Sequence, residues 1–230
     1  VNAEKTKLFF DVTKPNSKLL NKNLHSGTLS FEMSNGDEKI ITNCGSPEKY
    51  FGKNQVFFRY SAAHSTIIVN NTNIAELSER NSYKRIPKNI RNITEESESQ
   101  YLLSGSHDGY LKNYGLSIKR ILKISKDGNK INGSDQIIVL KNRNRQNFFS
   151  VRFHLMPYCN CIITNDEKTV IIKTKKGFAW HLKSPNIKLA IEESLYIGYG
   201  DRPLGSKQVI LSGKIKNIKN IINWELKKIN

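Results

Sequence analysis

Three residues far apart in the chain carry side chains that could work together: His25, Asn43 and His64. Imidazole is the side chain whose unperturbed pKa lies nearest neutrality, so it serves as acid, base or ligand. Beside an amide, two imidazoles can equally close into a hydrogen-bonded cluster. A second group is His107-Asp108-Gly109-Tyr110. On a loop, these could supply an acid or base near neutral pH, with Asp108 orienting His107. Packing of the loop is the equal alternative. A third set, Arg59, Arg152 and His154, falls on or near predicted strands, on the face opposite core residues. An exposed row of this kind grips carboxylates or sulfates through the forked guanidinium, although a solvated sheet face is the commoner meaning. His181, beside Trp180, reads as a lone structural histidine.

The elements that must position these groups are short strands. Leu29, Phe31 and Met33 alternate with Ser30, Glu32 and Ser34, Asn35-Gly36 follows, and Lys39 to Asn43 returns. This predicts a β-hairpin with two left-handed residues in its turn. His25 then stands at the start of the outgoing strand and Asn43 closes the returning one. His64 opens a further strand, 65–70. Asp127-Gly128 and Asn132-Gly133 are turn dipeptides flanked by Ile121–Ser125 and Gln136–Leu140. Phe149, Val151, Phe153 and Leu155 alternate with polar residues, the pattern of a strand with one buried face. Strands are also predicted at 170–174 and 177–182, paired around Lys175-Lys176, and at 189–197 and 208–215. Residues 71–105 break the pattern and read as a long polar excursion, with a helical turn near Ile74 to Glu79. Trp224 anchors a basic C-terminal stretch. The sum is all-β: a large antiparallel two-sheet β-sandwich, with 1–230 a single domain.

Composition narrows the partners. The 37 Lys and Arg exceed the 20 Asp and Glu, giving a formal charge of +17. Such a balance favours nucleic acid, an anionic membrane or an acidic polysaccharide, or is simply a solvated basic surface. Basic clusters fall at Arg80 to Arg91, Lys141 to Arg145 and Lys173 to Lys176. Lys141–Arg145 lacks the interleaved aromatics of a nucleic-acid platform, and no nucleic-acid module is recognised. No phosphate loop or nucleophile elbow is present. The three cysteines build neither a disulfide framework nor a zinc site. No apolar run approaches the ~20 residues of a membrane span. No secretion signal opens the chain; it does not begin with Met, so it reads as a processed product or a fragment.

Several segments, in order, resemble a known family. They are Asn23-Leu24-His25-Ser26-Gly27-Thr28-Leu29-Ser30-Phe31-Glu32, then Asn43-Cys44-Gly45, then Ala63-His64-Ser65-Thr66. Ser106–Tyr110, Ile131–Asp135, Val151–Leu155, Glu193–Tyr196, Gln208–Gly213 and Trp224 continue the series. The pattern is similar to the C-terminal β-domain of heparinase II/III-type polysaccharide lyases, over nearly the whole chain. The resemblance implies β-elimination on uronic-acid-containing chains, with a helical toroid domain upstream supplying the tyrosine and other key groups. It implies a structural zinc at the positions of His25, Asn43 and His64, where Asn43 replaces an aspartate. Asn23 stands where relatives place a catalytic histidine, and Gly27 where they place an aspartate. The expected site is therefore Asn23, His107 and Tyr110 for catalysis, with Arg59, Arg152 and His154 for substrate. No cofactor is expected beyond that possible zinc. The implied partners are acidic polysaccharide and the upstream helical domain, and the implied location is periplasm or cell envelope. A non-catalytic carbohydrate-binding or cell-envelope module is the alternative, and a nucleic-acid-binding protein the second.

Overall fold

The computed structural model describes residues 1–14, 24–46, 52–78, 83–198 and 202–229. The chain begins with β1 (Asn2–Ala3) and β2 (Thr6–Phe10), and then forms the hairpin β3 (Phe31–Asn35) and β4 (Glu38–Thr42). Two 3-10 helices, Gly52–Arg59 and Ser61–Ala63, lead to β5 (Ile67–Val69). Next come β6 (Glu76–Leu77), β7 (Tyr83–Arg85), β8 (Ile90–Glu96), β9 (Gln100–His107) and one short helix, α1 (Leu111–Tyr114). The long strands β10 (Leu116–Ser125), β11 (Lys130–Val139) and β12 (Asn147–Leu155) follow. The chain closes with β13 (Asn160–Ile163), β14 (Thr169–Lys173), β15 (Ala179–Lys183), β16 (Leu189–Tyr196), β17 (Leu204–Ile215) and β18 (Lys219–Lys228).

Sixteen of these strands form two eight-stranded antiparallel sheets, and β6 pairs with β7 in a separate ribbon. The first runs β1-β2-β3-β4-β12-β17-β16, with β5 also on β12; the second runs β13-β14-β15-β18-β11-β10-β9-β8. The predicted sandwich is what the chain builds. Between the sheets, alternate residues of each strand meet: Phe31 stacks on Trp224 with ring centroids 5.7 Å apart, and Phe153 meets Trp224 edge-on at 4.8 Å.

A buried ion pair crosses this core. Arg120 Nε and Nη2 donate to the Asp135 carboxylate at 2.6 and 3.0 Å, and both side chains are fully buried. Trp224 Nε1 donates to the same carboxylate at 2.9 Å. Arg120 Nη1 reaches the other sheet's layer, donating to the Leu29 and Ser65 carbonyls at 2.8 and 2.7 Å. The forked guanidinium thus satisfies every neighbour that burial would otherwise leave costly.

Four local expectations are corrected. Residues 71–105 are not a wrapping loop: they hold β6 to β9, with no helical turn at 74–77. The sequence hid β8 because it is an edge strand, exposed along nearly its whole length, so it has no buried face to set an alternation. Asn132-Gly133 lies inside β11 and is no turn. Gly133 is there for space, since a Cβ at that position would lie 2.0 Å from the Trp224 ring. In the β3–β4 hairpin only Gly36 is left-handed, at φ +62°, while Asn35 remains in β3. Finally, His25 precedes β3 by several residues rather than opening it.

Candidate functional site

His25 and His64 meet beyond the end of the first sheet, where the chain before β3 passes the second 3-10 helix. His25 Nδ1 lies 3.2 Å from His64 Nε2, with the rings edge-on at 86°. His64 Nδ1 is 2.8 Å from the Tyr60 carbonyl. A carbonyl only accepts, so Nδ1 of His64 carries the proton and its Nε2 is an acceptor. His25 therefore donates from Nδ1, and its own Nε2 carries a lone pair. Burial holds both rings neutral: His64 falls to about 3, with the His25 charge as second cause, and His25 to about 4, with Arg59 as second cause. Gly27 makes the approach possible, because a Cβ there would sit 2.5 Å from His64 Cδ2.

Ser65 fixes the turn between the second 3-10 helix and β5 that carries His64. Its N–H donates to Asn43 Oδ1 at 2.9 Å and its hydroxyl to the Thr42 carbonyl at 2.6 Å. The hydroxyl also accepts from His154 N at 2.9 Å, and the Ser65 carbonyl accepts from Arg120. The core ion pair and the histidine pair are thus joined through one residue.

Arg59 and Tyr83 hold the chain just before His25. Both donate to the Leu24 carbonyl, Arg59 Nε at 3.0 Å and the Tyr83 hydroxyl at 2.6 Å, and the guanidinium lies over the Tyr83 ring at 5.6 Å. Burial raises the Tyr83 pKa, and Arg59 opposes that rise. Arg59 is 4 % exposed, so it positions the backbone rather than forming part of an exposed row.

His154 and Arg152 also depart from an exposed row. Residues 56–63 fold over the outer face of the first sheet, where Phe58 and Ala63 pack in a small cluster with Cys44 and Ile197. Beneath it, His154 Nε2 bonds the Ala62 carbonyl at 2.9 Å, and Nδ1 pairs with the Ser194 hydroxyl at 2.8 Å. Burial brings His154 down to about 4 and lifts the neighbouring Cys44 thiol to about 11. Half-buried Arg152 binds Gln208 Oε1 through Nη1 at 3.0 Å, while its Nε is enclosed with no protein partner. Arg152 and His154 line a cleft of about 490 Å³ with Phe57 and Leu195.

His107 and Tyr110 are 1 % and 0 % exposed. Tyr110 donates to the Thr72 carbonyl at 2.9 Å, and His107 Nδ1 accepts from Gly109 N at 3.1 Å. Asp108 does not orient His107; it binds Lys88 N, Asn89 N and the Asn89 amide. Arg85 donates to the Ile74, Asn73 and Gly109 carbonyls and locks the same corner. The expected acid–base loop is a packed corner whose rings offer substrate no surface. His181 is half-buried on the outer face, paired with Glu225 at 3.0 Å. Asn23 lies outside the described residues. Among the described residues, no helix is long and apolar enough to cross a membrane.

The family profile described as heparinase II/III-like, C-terminal, matches residues 1–225. The chain belongs to this heparinase II/III-like C-terminal family. Solved structures carry the same fold. A mutant of the heparan sulfate lyase HepC from Pedobacter heparinus matches with a TM-score of 0.77 at 13 % identity, covering 97 % of this chain and 33 % of that one. A heparinase III structure matches with a TM-score of 0.75 at 14 % identity, covering 98 % of this chain and 34 % of that one. The chain thus spans about a third of the length of these structures. No curated protein sequence matches it.

Against the heparinase II/III-like pattern, the zinc expectation can be judged from the donors. Two imidazole nitrogens 3.2 Å apart suit adjacent corners of a zinc tetrahedron with bonds of ~2.0–2.1 Å. The remaining ligands do not follow. Asn43 presents a neutral amide whose oxygen is engaged by Ser65 N. Among the described residues no group of three His, Cys, Asp or Glu could hold a metal. This donor set fits a hydrogen-bonded pair and not a closed structural zinc site. Sequence reasoning missed Tyr83, Ser65, Ser194 and the Arg120–Asp135 pair. A charged Arg and Asp inside strands that otherwise alternate cleanly was the available signal for the pair.

Proposed function

We propose that this domain forms one wall of the substrate cleft in a lyase that cleaves acidic, uronic-acid-containing polysaccharide by β-elimination. A helical domain of the same protein supplies the opposite wall. The observation that carries the reading is the family match over 1–225, joined to the convergence of His25, His64, Arg59 and Tyr83 at one end of the sandwich. In β-elimination a base takes the proton α to the carboxylate. The electron pair forms the new carbon–carbon double bond, and the glycosidic oxygen leaves with a proton from an acid.

This chain's contribution is positional and electrostatic. His25 is neutral at pH 7 and keeps an acceptor Nε2, the form that receives a proton or a hydroxyl hydrogen bond. Arg59 places a cation beside it and, with Tyr83, fixes Leu24. Asn23, the preceding residue in the chain, carries an amide, a group that binds a substrate carboxylate without titrating. His107 and Tyr110 support the wall from within.

The test is absorbance of the unsaturated uronate product. The protein joined to its helical domain should produce it from heparan sulfate or another uronate polymer, and the 230-residue chain alone should not. Turnover by the chain alone would mean that it holds a complete acid–base set. A non-catalytic carbohydrate-binding module is the second reading, favoured by the close packing of Gly27 on His64 and the engagement of Asn43. Its mark would be glycan binding by the complete protein without product.

A further inference from the structure

The outer face of the second sheet is built from other residues than the His25–His64 cluster. Its side chains follow from the strand registers. One row runs Lys123, Asn132, Glu225, Lys183 across β10, β11, β18 and β15. A second runs Arg91, Ser106, Lys119, Gln136, Ile221 across β8, β9, β10, β11 and β18. Lys219 and Lys227 extend the face along β18. Against these cations stand Glu95 and Glu225, and Glu225 is already engaged by Lys130 at 2.7 Å and His181 at 3.0 Å. The outer face of the first sheet differs: there Glu32 pairs with Lys39, and Glu192 lies close to Arg152. Lys7 and Lys214 add cations there too, but the outer face of the second sheet carries the larger basic excess of the two.

A groove of about 620 Å³ runs through the middle of that face. Lys123 and Lys183 stand on its two sides, three strand spacings or about 14 Å apart. Asn132, Ser134 and Asn223 supply hydroxyl and amide groups between them, Glu225 lies in the same lining with its carboxylate held by Lys130 and His181, and Ile121 and Pro185 give an apolar floor. Lysines on the rim, amides and hydroxyls inside and an apolar patch beneath suit a sugar ring that carries an acidic substituent.

We propose that this face is a second, non-catalytic binding surface for an acidic polysaccharide, with the groove between Lys123 and Lys183 seating one acidic sugar unit. The ligand class rests on the lyase reading above; the location does not. A chain held here is retained by the protein while another stretch of it enters the cleft, which raises its effective concentration there.

The test compares three forms of the chain by calorimetry: the wild type, the triple variant Lys119→Gln, Lys123→Gln, Lys183→Gln, and a control Lys112→Gln, Lys141→Gln, Arg143→Gln. The two variants lose equal charge. The probes are heparin and hyaluronan oligosaccharides, neutral dextran and single-stranded DNA, at low and physiological salt. The face variant should bind heparin oligosaccharide about tenfold more weakly, with a shallower salt dependence, while the control matches wild type. Equal losses in both variants, equal binding of dextran, or DNA binding as tight as heparin would overturn the proposal. Lyase turnover by the complete protein is measured in parallel. Its absence would sink the reading of the cleft, whereas a face variant that binds heparin as wild type does sinks only this one.

Discussion

The proton between His25 and His64 has one consistent position. The Tyr60 carbonyl, 2.8 Å from His64 Nδ1, makes that nitrogen the donor, so the 3.2 Å contact to His25 runs from His25 Nδ1 to His64 Nε2. A proton on His64 Nε2 would set two donors against each other, so the pair survives only while His64 stays neutral.

Stability should therefore depend on pH well above the carboxylate range. Burial lowers His25 and His154 to about 4 and His64 and His107 to about 3, all from 6.5. Below pH 6.5 the unfolded chain takes up protons that the folded one refuses, so stability is full above 6.5 and falls as pH drops toward 4. Each histidine contributes up to about 1.4 kcal/mol per pH unit in that window. Thermal melts between pH 7.5 and 5 should show a steady fall in Tm. A flat profile would mean that these rings can protonate in place.

Asn43→Asp should turn the histidine pair into a metal site. A carboxylate can keep the bond from Ser65 N and adds the charge that a dication requires. Zinc should raise the Tm of the variant and a chelator should reverse it, while the wild type responds to neither. A wild-type Tm that falls with chelator would show that the native donors already suffice.

Gly27→Ala should separate the two histidines. The new methyl group would lie 2.5 Å from the His64 ring, which must turn away. Overpacking of this kind costs about 1–3 kcal/mol. Urea denaturation measures the loss, and histidine NMR shifts should show the His25–His64 bond broken. Unchanged shifts would place the strain elsewhere.

The Arg120–Asp135 pair should behave as a unit. Asp135→Asn or Arg120→Met alone leaves a buried partner without its counter-charge and should cost about 3–5 kcal/mol. The double variant should recover part of that loss, though the Leu29 and Ser65 carbonyls lose their donor in it. Single variants costing less than an exposed pair, about 1 kcal/mol, would show that water reaches the site.

Much of this protein is written in its local pattern. The alternation from Phe149 to Leu155, the Asp127-Gly128 turn and the strands around Lys175-Lys176 fix the strands and their buried faces, because side-chain direction reverses at every residue. The order and spacing of the segments from Asn23–Glu32 through Ala63–Thr66 to Gln208–Gly213 pointed to the family before any coordinate did. What spacing could not supply was the cover over each face. His154 sits where an outward row was expected, yet the turn around Ala62 lies on that face and buries it, and Arg59 is itself packed against Leu24 and Tyr83. His107 and Tyr110 look like a reactive loop until Arg85 and Thr72 close over them. Gly133 looks like a turn until Trp224, 91 positions later, needs the room. Parity along a strand is a local property of the backbone. Burial depends on which distant segment arrives at that face, and only the tertiary structure decides it.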